Sequence, residues 1–541
     1  NMGVNKIEIQ NPKTEQPSGL YEQLEEYCSS DAYPFHMPGH KRNATLIREM
    51  YALGREEKDR VRRNRMPYGI DITEIDGFDN LHHAEGILLE AQQRAASLYG
   101  AYKSFYLING STCGILAAIF ACTTQRGKLL MARNCHKAVY HAVELRELET
   151  VYLYPESDID AEERRSGDDG NEYTVKWGKK LAQINGSIRS EDVEDALTRD
   201  PQIQAVVITS PTYDGILSDV EKISEIAHAH GVPLIVDEAH GAHFGFHPDF
   251  PENALKKGAD IVIHSLHKTL PSMTQTALLH IGEKSTKWTE YVKKYLDIFE
   301  TSSPSYVFMA GMDQCMRLIE ARGRELFEDY SQRLHCFKKE VAKLPHIHLL
   351  TDEDAVRQQV YETDPGKLVI AADGWNGHEV AEFLRRKEHL EVEMEAAGYI
   401  IALTSIADTD EGFKRLKNAL IHIEENISTN SVEDKEKQPQ KNVSSNIRNL
   451  SGTSDNKGET EVLSIAQATA CEHTTMDLER SIGEISGEYI YLYPPGIPLV
   501  VPGERITEEL LCQIWEVRQT GLEIQGMRDY SGKKVDVCRK V

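Results

Sequence analysis

A lysine directly follows an apolar segment, Ile261 to Ile263, in the tetrapeptide Ser265-Leu266-His267-Lys268. The apolar segment predicts a strand buried on both faces, so Lys268 stands where that strand ends. Burial against an apolar sheet disfavours the ammonium form, which lowers the pKa of the lysine and leaves an amine that can form an imine with an aldehyde. The alternative is an ordinary lysine that extends its ammonium group into solvent at a strand end.

Polar residues cluster at the carboxyl ends of five predicted strands. In chain order the clusters are Asn109-Gly110-Ser111-Thr112, Asn134-Cys135-His136, Ser210-Pro211-Thr212-Tyr213, Asp237-Glu238-Ala239-His240 and His267-Lys268. In an open α/β sheet the carboxyl edge of the strands is where ligands bind. The five clusters together therefore predict one binding site at this edge.

Three of these clusters have a chemistry that can be stated from residue type. Gly110-Ser111-Thr112, at a predicted helix start, offers backbone N–H groups, two hydroxyls and the positive helix end, which suit a phosphate, although an ordinary N-cap looks the same. Asp237 ends a strand, where a buried carboxylate needs a partner such as a protonated pyridine nitrogen, an arginine or a helix end. His136 is able to stack on an aromatic ring, or is a core histidine.

Strands and helices alternate in the region that carries the clusters. The predicted strands are Phe105–Ile108, Leu129–Ala132, Thr150–Tyr154, Ala205–Thr209, Leu234–Asp237, Ile261–His264 and Thr276–Ile281. Helical patterns such as Glu85–Tyr99 and Val220–His230 lie between them. This alternation predicts an α/β fold with a mainly parallel sheet covered by helices.

Composition and periodicity divide the chain into five regions. These are an N-terminal arm with linking helices (1–100), a large sheet domain (101–310), a small α/β domain (311–428), a flexible linker or long loop (429–461) and a C-terminal domain (462–541). Beyond Ile281 we expect helices to about Asn426, with strands of a smaller α/β domain at Lys367–Ala371 and Tyr399–Thr404. The linker is rich in Ser, Asn, Lys, Glu and Gln and has no aromatic residue between Thr429 and Thr460.

The overall charge and the cysteines limit the classes of protein. The 541 residues include 61 Lys plus Arg and 86 Asp plus Glu, a net charge of −25, which argues against a nucleic-acid surface. The nine cysteines show no paired CxxC spacing, and no signal peptide or membrane-crossing segment is evident. We therefore expect a cytoplasmic protein that binds neither nucleic acid nor membrane.

Two other functions that the segment 237–247 could indicate are not supported by the spacing of its residues. Asp237-Glu238-Ala239-His240 spells the box of a class of helicases, but no G-x-x-x-x-G-K-[ST] segment accompanies it. The histidines His240, His243 and His247 match neither H-E-x-x-H nor a zinc framework with paired cysteines. The sequence thus argues against a nucleotide-driven motor and predicts no catalytic metal.

Eight segments in this order resemble the pyridoxal-phosphate-dependent ornithine/lysine/arginine decarboxylases, in the shorter bacterial form that lacks an N-terminal wing domain. They are HMPGHK (36–41), NGSTCG (109–114), RNCHK (133–137), SPTYDG (210–215), DEAHGAH (237–243), SLHK (265–268), TSSPSY (301–306) and YPPGIPLVVPGE (493–504). The resemblance covers most of the chain and leaves out the linker and residues 157–183.

The resemblance implies the aspartate aminotransferase-like fold (PLP fold type I), with pyridoxal 5'-phosphate in region 101–310. Lys268 would bind the cofactor aldehyde, Asp237 would pair with the ring nitrogen and His136 would stack on the ring. Gly110, Ser111, Thr112, Ser265 and His267 would hold the phosphate, helped by the TSSPSY segment of a neighbouring subunit, while Thr212 and His240 would lie near the ring oxygen or the substrate. The family also implies a homodimer, or a multiple of dimers, with shared active sites.

The expected reaction is α-decarboxylation of arginine, lysine or ornithine to a polyamine or its precursor. Carboxylates that could meet the cationic end of the substrate are Asp71, Glu74, Asp79 and Glu504. The stretch Ala396 to Ser405 contains no arginine to hold the substrate carboxylate, which favours decarboxylation over transamination. Either His267 or Lys268 could return a proton to the α-carbon. The alternatives are an aminotransferase or β-eliminating lyase of the same fold, and a non-catalytic regulatory protein.

Overall fold

The computed structural model describes residues 31–52, 71–156, 162–166, 172–176, 184–350, 360–433, 461–492, 496–519 and 524–539, with short gaps at 32, 36–38, 42, 76 and 185. Its strands are β1 (Tyr33–Phe35), β2 (Lys103–Leu107), β3 (Lys128–Ala132), β4 (Glu149–Leu153), β5 (Glu162–Ser166), β6 (Glu172–Lys176), β7 (Ile203–Thr209), β8 (Ile216–Leu217), β9 (Leu234–Asp237), β10 (Ile261–His264), β11 (Ala277–Ile281), β12 (Ile347–Leu349), β13 (Glu362–Thr363), β14 (Lys367–Ala372), β15 (Leu390–Val392), β16 (Met394–Glu395), β17 (Ile400–Leu403), β18 (His473–Asp477), β19 (Ile490–Leu492), β20 (Ile497–Val500), β21 (Ile524–Gln525) and β22 (Lys534–Cys538).

The helices connect and cover these strands. They are α1 (Ala44–Ala52), α2 (Ile87–Tyr99), α3 (Gly110–Cys122), α4 (Lys137–Arg146), α5 (Ser190–Arg199), α6 (Val220–Ala229), α7 (Leu266–Thr269), α8 (Thr289–Phe299), α9 (Tyr306–Val341), α10 (Gly377–Lys387), α11 (Asp410–Glu433), α12 (Ile465–Ala470) and α13 (Glu508–Gln519). Among the described helices none is both long and apolar enough to cross a membrane.

The largest sheet has seven strands in the order β2-β11-β10-β9-β7-β3-β4. The pairs from β10 to β4 are parallel, and β11 runs antiparallel to both of its neighbours. The apolar sequences of β9 and β10 are buried at every residue, as expected for strands covered on both faces. The predicted alternation of strands and helices is confirmed in this region.

Helix α3 crosses the large sheet at close range. A Cβ added to Gly114 would lie 2.5 Å from Leu107 Cδ1, so a larger residue here requires the Leu107 side chain to move. The approach fixes the start of α3, and with it Gly110 and Ser111, against the carboxyl end of β2.

The small sheet, β12-β14-β17-β16, is antiparallel and supplies the opposite wall of the site. Its strands β14 and β17 agree with the prediction, whereas four further strands before Asn426 were not predicted. Strands β12, β13, β15 and β16 have two or three residues each, too short for a hydrophobic period to show.

Only one of the predicted boundaries between the five regions can be compared with an element of the structure. Helix α11 extends to Glu433, beyond residue 429 where we placed the start of the linker, so that start was wrong. Residues 434–460 lie outside the described residues. The other boundaries stay predictions.

Candidate functional site

Lys268 lies on the short helix α7, immediately after β10. Its Nζ atom is 2.9 Å from Nε2 of His240. Burial lowers the pKa of Lys268, and the carboxylates of Asp237 and Glu393 oppose this effect. The sequence prediction that Lys268 and His240 meet at the sheet edge agrees with this geometry.

His240 also contacts a second lysine. Nζ of Lys367 lies 2.8 Å from Nδ1 of His240 and donates to the backbone oxygen of Tyr213 at 2.6 Å. Burial lowers the pKa of Lys367 to about 8. Burial, together with the positive charge of the lysine pair beside it, holds the pKa of His240 well below its usual value, so its ring is neutral.

The hydrogen bonds of His240 determine the protonation of the lysines. A neutral imidazole donates through one nitrogen and accepts through the other, whereas an ammonium group can only donate. Lys367, which also donates to Tyr213, fills the role of donor to Nδ1. With this assignment the Nε2–H of His240 points at Lys268, which accepts as a neutral amine. The reverse assignment, in which a neutral Lys367 donates to Tyr213 and accepts from Nδ1–H, satisfies the same contacts, so the geometry requires one neutral lysine of the two. We call Lys268, His240 and Lys367 the lysine bridge.

Lys367 was not among the residues predicted for the site. It begins the apolar strand β14 and is only 3% exposed. A lysine at the start of a strand that is otherwise buried was the one available signal, and the partner 127 residues away is not visible in the sequence.

Asp237 ends β9 and is buried, as predicted. Its register partners are Thr209 on β7 and Ile263 on β10, which places it at the carboxyl edge of the sheet. Its Oδ1 accepts a hydrogen bond from the backbone N–H of Ala239 at 3.2 Å. Burial raises the pKa of Asp237, and the nearby charge of Lys268 opposes the rise. A cationic group at this position would stabilise the carboxylate.

The predicted phosphate residues surround two different helix starts. Gly110 begins α3 with a φ of 78°, Ser111 is half-buried and Thr112 is exposed. The segment that begins at Thr301 lies beside this turn, because its N–H donates to Asn109 Oδ1 at 3.1 Å within the same chain.

Ser265, the residue before α7, has an unsatisfied hydroxyl. Its Oγ is buried and has no hydrogen-bond partner in the part of the chain that the structure describes. A buried hydroxyl is costly unless it is hydrogen-bonded. An oxygen-rich anion such as a phosphate would satisfy it.

The two remaining predicted histidines have local partners. Nδ1 of His136 caps α4 by accepting from Ala138 N at 3.2 Å, and burial, with the Lys268 charge, lowers the pKa of His136 to about 3. His267 donates through Nδ1 to Thr276 O at 3.0 Å, and burial lowers its pKa to about 4. Both rings are therefore neutral at pH 7.

Thr212 shapes the loop that follows β7. Its Oγ1 accepts from Ile216 N at 3.1 Å, and its own N–H donates to Ile216 O. The threonine thereby closes the turn that presents Tyr213 to the lysine bridge.

Two of the four carboxylates predicted to bind the substrate already bind other groups of the same chain. Asp79 accepts from four backbone N–H groups, those of Asn80, Glu85, Gly86 and Leu88. Glu504 is buried, lies 3.0 Å from Arg133 and also accepts from Val501 N. These contacts argue against a substrate role for either residue. Asp71 is exposed and Glu74 is half-buried.

Glu393, which we did not predict, lies nearer to the lysine. It connects β15 to β16, and its carboxylate accepts a hydrogen bond from the hydroxyl of Tyr213. Burial lowers the pKa values of Lys41, Lys268 and Lys367, and the negative charge of Glu393 partly opposes this lowering. It is therefore a carboxylate directed at the site.

The described part of the HMPGHK segment covers α7. Gly39 N donates to His267 O at 2.6 Å, and an added Cβ would lie 2.7 Å from Leu270 O. On the other side, Gly39 O accepts from Ser405 Oγ at 2.6 Å. Residues 39–41 thus lie between α7 and the end of β17. His36, Met37 and Pro38 lie outside the described residues.

The YPPGIP segment reaches the site from the C-terminal region. Tyr493 to Pro495 lie outside the described residues, but Gly496 O accepts from Lys137 N at 3.3 Å, next to His136. Arg133 anchors the same segment by donating to Pro498 O at 2.9 Å.

Comparisons with known proteins agree with this architecture. The model of the family "Orn/Lys/Arg decarboxylase, major domain" matches residues 18–412, and the model of the C-terminal domain of the same family matches residues 461–517. The arginine decarboxylase of Bacillus subtilis is 29% identical over 96% of this chain and 98% of its own length. That of Halalkalibacterium halodurans is 28% identical over 96% and 97%.

Solved structures show the same fold. The constitutive lysine decarboxylase of Escherichia coli superposes with a TM-score of 0.68 at 19% identity, covering 96% of this chain and 83% of that chain. Lysine decarboxylase A of Pseudomonas aeruginosa gives a TM-score of 0.66 at 19% identity, covering 96% and 80%. The predicted α/β, aspartate aminotransferase-like fold is confirmed. Since the family model spans most of the sequence, the chain belongs to the Orn/Lys/Arg decarboxylase family.

Proposed function

We propose that this enzyme is a pyridoxal-phosphate-dependent α-decarboxylase that acts on arginine. The lysine bridge carries the proposal, because it requires one neutral amine beside His240, which we assign to Lys268, on the same sheet edge as the buried carboxylate of Asp237. Arginine is the first candidate because relatives matched over nearly their whole length are arginine decarboxylases. Lysine and ornithine are the competing substrates.

The residues fit the cofactor in three places. Lys268 offers a neutral amine for the aldehyde, Asp237 offers a carboxylate that keeps a proton on the ring nitrogen, and the unsatisfied hydroxyl of Ser265 suits the phosphate. The remaining proposed contacts are Gly110, Ser111, Thr112, His136, Thr212, His240 and His267. When bound, pyridoxal phosphate supplies an electron sink for the pair left by departing CO₂.

The residues of the chain then have separate tasks. Asp237 keeps positive charge on the ring in the transition state, where it lowers the barrier rather than only tightening binding. His136, neutral and fixed by its bond to Ala138, offers a flat face for the ring. His267 has its Nδ1 proton committed to Thr276, so its Nε2 is the atom that could exchange a proton with the α-carbon.

We assign the cationic end of the substrate to Glu393 in place of Asp79 and Glu504. The charge of Glu393 acts on both lysines of the lysine bridge. Replacing Glu393 with Gln removes the charge and keeps an acceptor for Tyr213. We expect KM for arginine to rise about tenfold, the effect of one lost charge-assisted hydrogen bond.

The test supplies the purified chain, loaded with pyridoxal phosphate, separately with arginine, lysine and ornithine. The expected result is CO₂ release with equimolar agmatine from arginine, and slower release from the other two. CO₂ release from lysine or ornithine alone would overturn the substrate assignment. Production of keto acid or ammonia without amine, or no CO₂ from any of the three, would overturn the reaction.

We also propose a homodimer with shared sites. Ile75 and Phe78 are 50% and 46% exposed in the acidic stretch, and Oε1 of Glu74 is buried with no partner among the described residues. A second copy would cover these apolar side chains and place Asp71 and Glu74 near its own site. Sedimentation should show a dimer for the wild type and a shift towards monomer for Phe78→Asp, with Tyr530→Asp, also exposed, as the control.

The regional assignments follow from the same proposal. We propose that region 101–310 binds the cofactor, that region 311–428 closes over it, and that the product enters polyamine synthesis.

A further inference from the structure

A cysteine and histidine cluster lies in the C-terminal region, on elements that supply nothing to the lysine bridge. One atom each from Cys471, His473 and Cys538 lies within 4.8 Å of the other two. Cys538 is buried, and the other two residues are half-buried. The pairing of β18 with β22 sets His473 directly opposite Cys538, so the backbone fixes their approach.

The three side chains converge on one oxygen atom. The carbonyl of Ala468 accepts from His473 Nε2 at 2.8 Å, from Cys471 Sγ at 3.1 Å and from Cys538 Sγ at 3.7 Å. Ala468 lies in the last turn of α12, where carbonyl oxygens carry negative partial charge and favour a cation. Two sulfurs and an imidazole nitrogen thus surround the carbonyl oxygen of Ala468.

We propose that Cys471, His473 and Cys538 bind a divalent zinc-like metal ion. Two thiolates and one imidazole form a ligand set typical of Zn²⁺. Tetrahedral zinc keeps its sulfur and nitrogen ligands roughly 3.6–3.8 Å apart, so each side chain has to move by no more than about 1 Å. Because Cys471 and His473 are half-buried, water can reach the fourth position.

The binding step exchanges protons for the metal. Zn²⁺ replaces the thiol protons of Cys471 and Cys538, which pass to solvent. The His473 ring changes tautomer, so that its proton moves from Nε2 to Nδ1 by way of solvent, and Nε2 gives up its hydrogen bond to Ala468 and offers its lone pair to the metal. No electron is transferred. The ion would join the end of α12 to strands β18 and β22, which are otherwise held by hydrogen bonds and packing.

A disulfide between Cys471 and Cys538 is the competing explanation. It would use both sulfurs but leave the third convergent side chain, His473, without a role. A bound metal uses all three side chains.

The test uses the cofactor-loaded full chain, reduced and treated with a chelator, and then titrated with Co²⁺ without oxygen. Tetrahedral thiolate ligation of Co²⁺ gives strong d–d absorption in the red, away from the cofactor bands. We expect saturation at one Co²⁺ per chain, loss of the absorption on adding Zn²⁺, and loss of binding in His473→Gln and Cys471→Ser. Cys512→Ser, an exposed cysteine of α13, is the matched control and should bind normally.

A second measurement does not depend on how the variants fold. Alkylation of the wild type should modify Cys512 at the same rate with and without Zn²⁺, and Cys471 at least tenfold more slowly with Zn²⁺. Equal rates at Cys471, absence of the Co²⁺ absorption, or Co²⁺ binding that persists in both variants would overturn the proposal.

Discussion

Two sets of buried histidines lie on neighbouring parts of the large sheet, and they differ in what stands at their ends. The lysine bridge places His240 between two amines. The second set, which we call the glutamate chain, runs from Ser104 to His280 at 2.6 Å, from His280 to His264 at 3.1 Å and from His264 to Glu238 at 2.6 Å.

The glutamate chain can satisfy every hydrogen bond with neutral rings. Ser104 donates to His280, His280 donates to His264, and His264 donates to a carboxyl oxygen of Glu238, whose pKa burial raises well above its usual value. The lysine bridge has donors at both ends, so neutral His240 satisfies both only if one amine has lost its proton. A histidine that ends on a carboxylate therefore stabilises the core, whereas one that lies between two lysines creates a nucleophile.

The largest expected effect comes from removing the reactive end of the lysine bridge. Lys268→Ala should lower kcat at least about 10³-fold, because no other group replaces the amine. The control is Lys256→Ala, an exposed lysine near the same site in sequence, which should keep full activity. Steady-state CO₂ release measures both. If kcat of Lys268→Ala fell by less than tenfold, the result would contradict a catalytic role for the lysine bridge.

The next effect is on stability and tests the glutamate chain. Glu238→Leu leaves His264 and the N–H of Ala254 without an acceptor, which should reduce the free energy of unfolding by about 3 kcal/mol. Glu238→Gln keeps an acceptor for Ala254 and lets the donors reverse, so its cost should be under about 1 kcal/mol. Urea denaturation followed by fluorescence measures both. Equal losses in the two variants would contradict the chain of donors.

A pH-dependent effect follows from the neutrality of His264. Burial lowers its pKa to about 3 from 6.5, so between these pH values His264 is protonated in the unfolded chain and neutral in the folded chain. Stability from this group is complete above pH 6.5 and is lost as the pH falls towards 3. Between pH 6 and 4 the free energy of unfolding of the wild type should fall by about 3 kcal/mol more than that of His264→Gln, since one proton contributes about 1.4 kcal/mol per pH unit. Identical pH slopes would mean that His264 is protonated in the folded protein.

The smallest effect concerns the other end of the lysine bridge. Lys367→Met removes one donor, so His240 can accept from a protonated Lys268, and the pKa of Lys268 should rise by about one unit. Competitive acetylation of the cofactor-free chain, with Lys268 quantified by mass spectrometry across pH, measures the shift directly. Lys256→Met is the control. An unchanged profile would show that Lys367 does not act through His240.

The sequence predicted the parts of this comparison that depend on local pattern. Strands β9 and β10 are continuous apolar segments, and their polar ends meet because parallel strands end at the same edge. The roles assigned to Lys268, Asp237 and His136 stay predictions, although the structure brings Asp237 and His136 close enough to Lys268 for its charge to act on both.

The missed residues come from distant parts of the chain. Lys367 and Glu393 enter from the small sheet, and neither residue type nor spacing shows that they reach α7. Asp79 and Glu504 were chosen for charge alone. The sequence shows a carboxylate but not its partner, and both partners depend on tertiary packing.

The close contact of Gly39 with α7 has a consequence for when the enzyme matures. Gly39 is hydrogen-bonded to Ser405, and His240 contacts Lys367. Both partners are synthesised long after Lys268, so the contacts around Lys268 cannot form until then. At roughly 5–20 residues per second, the segment from Lys268 to Ser405 takes about 7–27 s to synthesise. During that interval Lys268 is an ordinary hydrated ammonium group on a nascent chain. The lysine bridge can therefore form only after translation has passed the small sheet.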